Sequence, residues 1–158
     1  MSRILTFLIA LLVGCSTTTA PSGAAAYVIE GVPLTFTRQQ VETKRGEPDK
    51  RFATNDLETL QYESVVGEAY ITEFSFNKSN GKLREASGKT LEFGDTLIQS
   101  GDLKEKVLDA LGKPTTESSY AESGESQLLT ELTYSVRGGP ELLVILRGDK
   151  VLSFHIKL

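Results

Sequence analysis

The sequence predicts an α+β domain: two α-β-β-β repeats forming one antiparallel sheet, with two short helices packed on one face. Three observations carry that expectation. Two short helix patterns each stop at Gly-x-Pro, Gly46-Glu47-Pro48 and Gly112-Lys113-Pro114. Runs of alternating apolar residues follow both, which is the period of a half-buried strand. Asn80-Gly81 and Gly148-Asp149 separate such runs, and these residue types accept the backbone angles of tight hairpin turns.

Each element has its own warrant. Thr37 and Gln40, three residues apart, can satisfy each other's end of a first helical turn as a capping box. Gly46 suits the left-handed position after a helix and Pro48 forbids continuation, leaving about two turns with Val41 and Leu34 as a thin apolar face. Leu57 to Val66 is β-prone, with Leu60 and Tyr62 alternating; Tyr70, Phe74 and Phe76 share a face of the next run. Lys82 to Ser87 returns after Asn80-Gly81, and Lys89 to Ser100 reads as a connector with room for an edge strand. The second helix is expected to be capped by Asp102 with Glu105 and to carry Leu103, Val107, Leu108 and Leu111 as its stripe. Thr115 to Gln127 reads as a mobile acidic loop. Leu128, Leu132, Tyr134 and Val136 line one strand, Glu141 to Leu146 is almost continuously apolar, and Leu152, Phe154, Ile156 and Leu158 line the last.

The two halves match each other. Val41 to Pro48 lies over Val107 to Pro114 at an offset of 66, and Leu60-Gln61-Tyr62 over Leu132-Thr133-Tyr134 at 72. Gly81-Lys82-Leu83 lies over Asp149-Lys150-Val151 at 68. Loop-length changes between two copies produce such a drift. The expected organisation is one domain over 27–158, with repeats at about 27–88 and 101–158.

The chain ahead of that domain has another character. Arg3 precedes an apolar run from Ile4 to Val13, broken by Thr6, and Leu12-Val13-Gly14-Cys15 closes it. About ten residues is half of what a membrane-spanning helix requires, so the segment reads as an export signal over 1–14. Its end is the pattern of a lipobox, in which the Cys15 thiol takes a diacylglyceryl group, palmitate among its acyl chains, and becomes the first mature residue. A plain secretory signal with an incidental cysteine is the competing reading. Acyl chains contribute about 0.8 kcal/mol per buried methylene, so a multiply acylated Cys15 stays on its membrane. Residues 15–26 are small and uncharged beyond the cysteine, the composition of a flexible tether.

Composition narrows the function. Arg3 is the only charge in residues 1–14, so their removal takes the formal net charge from −4 to −5. An acidic chain without a Lys/Arg cluster is a poor match for nucleic acid. Cys15 is the sole cysteine, leaving no disulfide to stabilise the domain. His155 is the sole histidine, set between Phe154 and Ile156, with no Cys, His or carboxylate spacing of a metal site around it. No Gly-x-Ser-x-Gly occurs. Arg147-Gly148-Asp149 is an integrin-recognition tripeptide, but at a hairpin tip Gly-Asp is what the turn requires. Tyr27, Tyr62, Tyr70 and Tyr134 read either as core residues or as interface anchors. No catalytic residue, cofactor, metal or small-molecule substrate is expected.

The lipobox, the helix ending Leu111-Gly112-Lys113-Pro114 and the run Phe74-Ser75-Phe76-Asn77-Lys78-Ser79-Asn80-Gly81-Lys82-Leu83 together resemble the SmpA/OmlA (BamE) outer-membrane lipoproteins. Their wider fold group is that of the β-lactamase inhibitor protein, a tandem of two such units. The resemblance covers most of Phe36 to Leu158. It departs from SmpA/OmlA proteins in having two units, from the inhibitor in having no disulfide, and from both its own second unit and the usual pattern in having Arg45 at an apolar position. It implies a non-catalytic, lipid-anchored module on the periplasmic face of the outer membrane. There it would bind an envelope protein or serve envelope assembly; inhibition of a periplasmic enzyme is the alternative.

Overall fold

The computed structural model describes residues 26–63, 71–121, 128–135 and 137–158. The chain begins with β1 (Tyr27–Ile29) and β2 (Val32–Pro33), then α1 (Arg38–Arg45) and the strands β3 (Lys50–Ala53), β4 (Leu57–Glu63), β5 (Ile71–Asn77) and β6 (Leu83–Gly88). β7 (Thr90–Phe93) and β8 (Thr96–Gln99) lead to α2 (Lys104–Leu111), which is followed by β9 (Thr116–Ala121), β10 (Leu128–Ser135), β11 (Glu141–Arg147) and β12 (Lys150–Lys157). These strands pair antiparallel, in two sheets ordered β2-β1-β7-β8 and β3-β4-β5-β6-β12-β11-β10-β9.

The expected α+β class is therefore wrong. Among the described residues two eight-residue helices stand against twelve strands, and the strands form two sheets instead of one. The physical reason lies in what escapes a periodicity reading. Lys89 to Ser100, read as a connector, is the hairpin β7–β8, and with β1 and β2 it builds the smaller sheet. Strands of two to four residues are too short to show a period. β3 and β9 are edge strands exposed at every position, so neither alternates in hydrophobicity. β9 occupies Thr116 to Ala121, most of the first half of the stretch read as a mobile acidic loop; residues 122–127 lie outside the described residues.

One core holds both sheets and both helices. Leu60, Phe74, Phe76, Leu132, Val144, Leu146, Phe154 and Ile156 come from the larger sheet, Tyr27, Ile29, Leu91 and Ile98 from the smaller, and Val41 and Val107 from the helices. The smaller sheet and the helices thus cover the same face of the larger sheet, here called the inner face. Side chains at paired positions share a face, so the alternating residues Gln61, Glu73, Ser87 and His155 lie on the other, outer face.

The helix termini follow their chemistry in one case and depart in the other. Thr37 and Gln40 form the expected capping box, and Gly46 ends α1 at φ +87°, a value side chains resist. Leu103, not Asp102, is the N-cap of α2, and it makes no side-chain cap. The Asp102 carboxylate instead accepts the Gln99 backbone N–H at 2.8 Å and the Lys106 ammonium at 2.8 Å, which together hold it below its usual range, the Lys106 bond foremost. The start of α2 is fixed through its backbone: Lys104 N–H donates to Asp149 O and Val151 N–H to Asp102 O, both at 2.8 Å. Leu103 remains 46 % exposed as a result.

The far ends of both helices are held alike. The Tyr62 hydroxyl donates to Gly46 O and the Tyr134 hydroxyl to Gly112 O, each at 3.2 Å. Burial pushes the Tyr134 phenol up to about 12, so it stays protonated and keeps donating. These tyrosines, with Tyr27, are buried in the core and are not interface anchors; Tyr70 lies outside the described residues. Arg45 stands at the apolar position noted in the sequence because its guanidinium lies 5.1 Å from the Tyr62 ring centre and donates to Glu30 O at 2.9 Å.

Candidate functional site

Register places the outer-face side chains in rows that cross the larger sheet, with neighbouring strands about 4.8 Å apart. One row runs Lys50, Gln61, Glu73, Ser87, His155, Leu143, Thr133, Thr116 through all eight strands. The next runs Phe52, Thr59, Ser75, Glu85, Lys157, Glu141, Ser135. On the other side of the first lie Ser153, Ile145, Glu131 and Ser118, and beyond them Arg147, Leu129 and Tyr120.

The face divides by chemistry. Over β4, β5 and β6 it is polar and internally bonded: Gln61 Nε2 donates to Glu73 at 3.0 Å, and Thr59 and Ser75 share a hydrogen bond of 2.8 Å. Over β10 and β11 it is apolar, with Leu143 and Ile145 half-buried and Leu129 buried. Each edge strand adds one aromatic ring to this face, Phe52 on β3 at 49 % exposure and Tyr120 on β9 at 43 %. The Tyr120 hydroxyl donates to Glu131 Oε1 at 3.1 Å, which lays the ring along the sheet. Sequence reasoning missed both rings because their strands show no alternation. The signal that could have found the apolar half is the unbroken Leu142-Leu143-Val144-Ile145-Leu146, since consecutive residues of a strand cannot all face one core.

His155 sits near the middle of the face, paired with Ser87 across β6 and Leu143 across β11. Burial lowers its pKa below the ordinary 6.5; Glu85, Glu73 and Glu141 oppose that shift and Lys157 adds to it. Unfolded chains therefore bind a proton here more readily than folded ones. The contribution to stability is present above pH 6.5 and is lost as pH falls through the lower folded value. His155→Gln should flatten the dependence of the urea midpoint on pH below 6.5; an unchanged slope would contradict this placement.

The remaining sequence candidates resolve differently. Cys15 lies outside the described residues. Arg147-Gly148-Asp149 closes the β11–β12 hairpin: Gly148 has φ +64° and Asp149 O is taken by α2. Among the described residues no group of three His, Cys, Asp or Glu side chains is placed to hold a metal. A cleft of about 430 Å³ opens beside the start of α1, lined by Thr37, Arg38, Glu58, Phe76, Lys78 and Asn80. Its cations are engaged, Arg38 with Glu58 at 2.7 Å and Lys78 with the Thr54 carbonyl.

No family model matches the chain, so no family match supports the SmpA/OmlA resemblance, and no curated protein matches either. Solved structures do. An extracellular protein containing a SCP domain from Bacillus anthracis str. Ames aligns at a TM-score of 0.53 and 12 % identity, over 78 % of this chain and 43 % of that one. A cysteine-rich secretory protein from Staphylococcus aureus subsp. aureus Mu50 aligns at 0.55 and 10 % identity, over 86 % of this chain and 48 % of that one. The chain thus spans less than half the length of either, and what it shares with them is a fold. A "putative beta-lactamase inhibitor protein" of Streptococcus mutans aligns over 77 % of this chain at 14 % identity, with a TM-score of 0.33 that is too low to argue from.

Proposed function

We propose that the chain is a lipid-anchored envelope protein that binds another protein on the outer face of its larger sheet and has no catalytic activity of its own. The observation that carries this reading is the pairing of Phe52 and Tyr120, half-exposed aromatic rings on opposite edge strands of one open face. Aromatic side chains of this kind are the usual energetic anchors of protein interfaces. Leu143 and Ile145 between them extend the apolar contact, and the polar half offers Glu73, Glu85 and Lys157 as a rim. Acylation at Cys15 would hold that face within a tether's length of the outer membrane, on its periplasmic side.

Two measurements test this. Photo-reactive residues at positions 52 and 120 should capture a defined envelope protein in cells, while one at Gln39, on the exposed side of α1, should not. Equal capture from all three positions would remove the face from consideration. If the captured protein is a periplasmic hydrolase whose activity falls on binding, the chain is an inhibitor; an assembly component makes it an accessory module. Cys15→Ala should leave an uncleaved, unacylated precursor, and a mature product extracted with the membrane would defeat the anchor.

A further inference from the structure

The two edges of the larger sheet are defended unequally. β3 is four residues long and carries Lys50 and Arg51, the short, charged kind of edge that resists adding strands. β9 is six residues, Thr116-Glu117-Ser118-Ser119-Tyr120-Ala121, exposed throughout, with no Lys, Arg, Pro or Gly and one charge. That charge is already met on the inner face, where Lys104 Nζ reaches Glu117 Oε1 at 2.7 Å. Among the described residues no strand pairs with the outer edge of β9, and an open edge of this kind is a template for another strand.

We propose that β9 pairs with β9 of a second copy of this chain, antiparallel about a twofold axis perpendicular to the sheet at Ser118. Such an axis keeps outer face with outer face, so paired residues must share a face. Ser118 then meets Ser118, Glu117 meets Ser119 and Thr116 meets Tyr120, with no like charges opposed. The Thr–Tyr pairs join a β-branched to an aromatic side chain, a favourable cross-strand combination. The operation also carries Tyr120, Leu129 and Ile145 of both copies onto one continuous surface. The smaller sheet, where the described chain starts at Ala26, lies on the inner side of both copies. Tyr27 of both copies therefore lies on the same side of the dimer, as two anchors in one membrane require; this last point alone rests on the proposed lipidation.

Sedimentation of the full chain in detergent should show a reversible dimer. Ser118→Lys sets two ammonium groups on the axis and should weaken it by about tenfold or more, with an unfolding midpoint matching that of the parent. Ser118→Cys should form a disulfide-linked dimer under mild oxidation, faster than Lys50→Cys on the opposite edge. A wild-type chain that is monomeric up to about 100 µM would overturn the proposal. So would a dimer indifferent to Ser118→Lys, or equal crosslinking from positions 50 and 118. Should Ser118→Lys fail to fold, the two cysteine variants still decide.

Discussion

Phe74→Ala should lower the stability of the fold by about 4 kcal/mol, the cost of emptying a fully enclosed aromatic site. Phe74 is on β5 with no exposed surface, paired with Leu60 on β4 and Ala86 on β6. Its ring meets that of Tyr62 edge-on, with centroids 6.2 Å apart at 74°. Ala86 opposite is too short to fill the vacated space. Tyr62 cannot move into it without releasing the Gly46 carbonyl that ends α1. Domains of this size have about 5–15 kcal/mol in total, so the variant would keep only part of its folded margin. Urea titration measures the loss, and Phe74→Leu, which restores most of the volume, should recover the larger share of it. A loss under about 1 kcal/mol for Phe74→Ala would mean that the β4–β5–β6 core repacks freely.

The second large effect is expected at Glu30. This residue turns the chain between β1 and β2 at φ +51°, the only described non-glycine residue with positive φ. Its carboxylate accepts the backbone N–H groups of Lys89, at 2.5 Å, and of Thr90, at 3.0 Å. Its own N–H donates to Thr90 O and its carbonyl accepts from Arg45. One side chain thus joins the start of the smaller sheet to the β6–β7 corner, and a charge-assisted bond of this kind contributes about 1.5–3 kcal/mol. Glu30→Ala leaves two backbone donors without their acceptor and should cost about 3 kcal/mol. Glu30→Gly loses the same bonds but removes the left-handed backbone penalty of about 1 kcal/mol, so it should be the milder change. Glu30→Gly proving the more damaging of the two would contradict the strain assigned to this turn. Gly88 belongs to the same arrangement: a Cβ there would come within 2.5 Å of the Glu30 Cγ.

Legibility in the sequence tracked half-burial. Leu60, Phe74, Phe76, Leu132, Phe154 and Ile156 alternate because one face of each strand is wet, and the sequence places every one of them in the core. Leu152 and Leu128 show where the same logic misleads. A bulge shifts the register of β12 between Lys150 and Ser153, so Val151 enters the core in place of Leu152. Leu128, two turns of the alternation before Leu132, is 55 % exposed at the start of β10. The cap of α2 was misread because a carboxylate near a helix start has other donors within reach, here Gln99 and Lys106. Nothing local announces β3 or β9, whose strand form comes from their neighbours alone. The aromatic rings they carry onto the outer face were hidden with them.

The two halves of the larger sheet meet at a single seam, where β6 pairs with β12 through Phe154–Gly88, His155–Ser87, Ile156–Ala86 and Lys157–Glu85. These partners lie as much as 72 positions apart in the chain, while β3 to β6 and β9 to β12 each zip up through neighbours in sequence. Closing so long a loop is the slow, entropically opposed step of assembling the sheet. During synthesis, β3 to β6 can form a hairpin stack well before β12 emerges, and until then β6 presents a bare strand to its surroundings. The nascent first half is accordingly the species most in need of protection from aggregation, and the arrival of β12 ends that exposure.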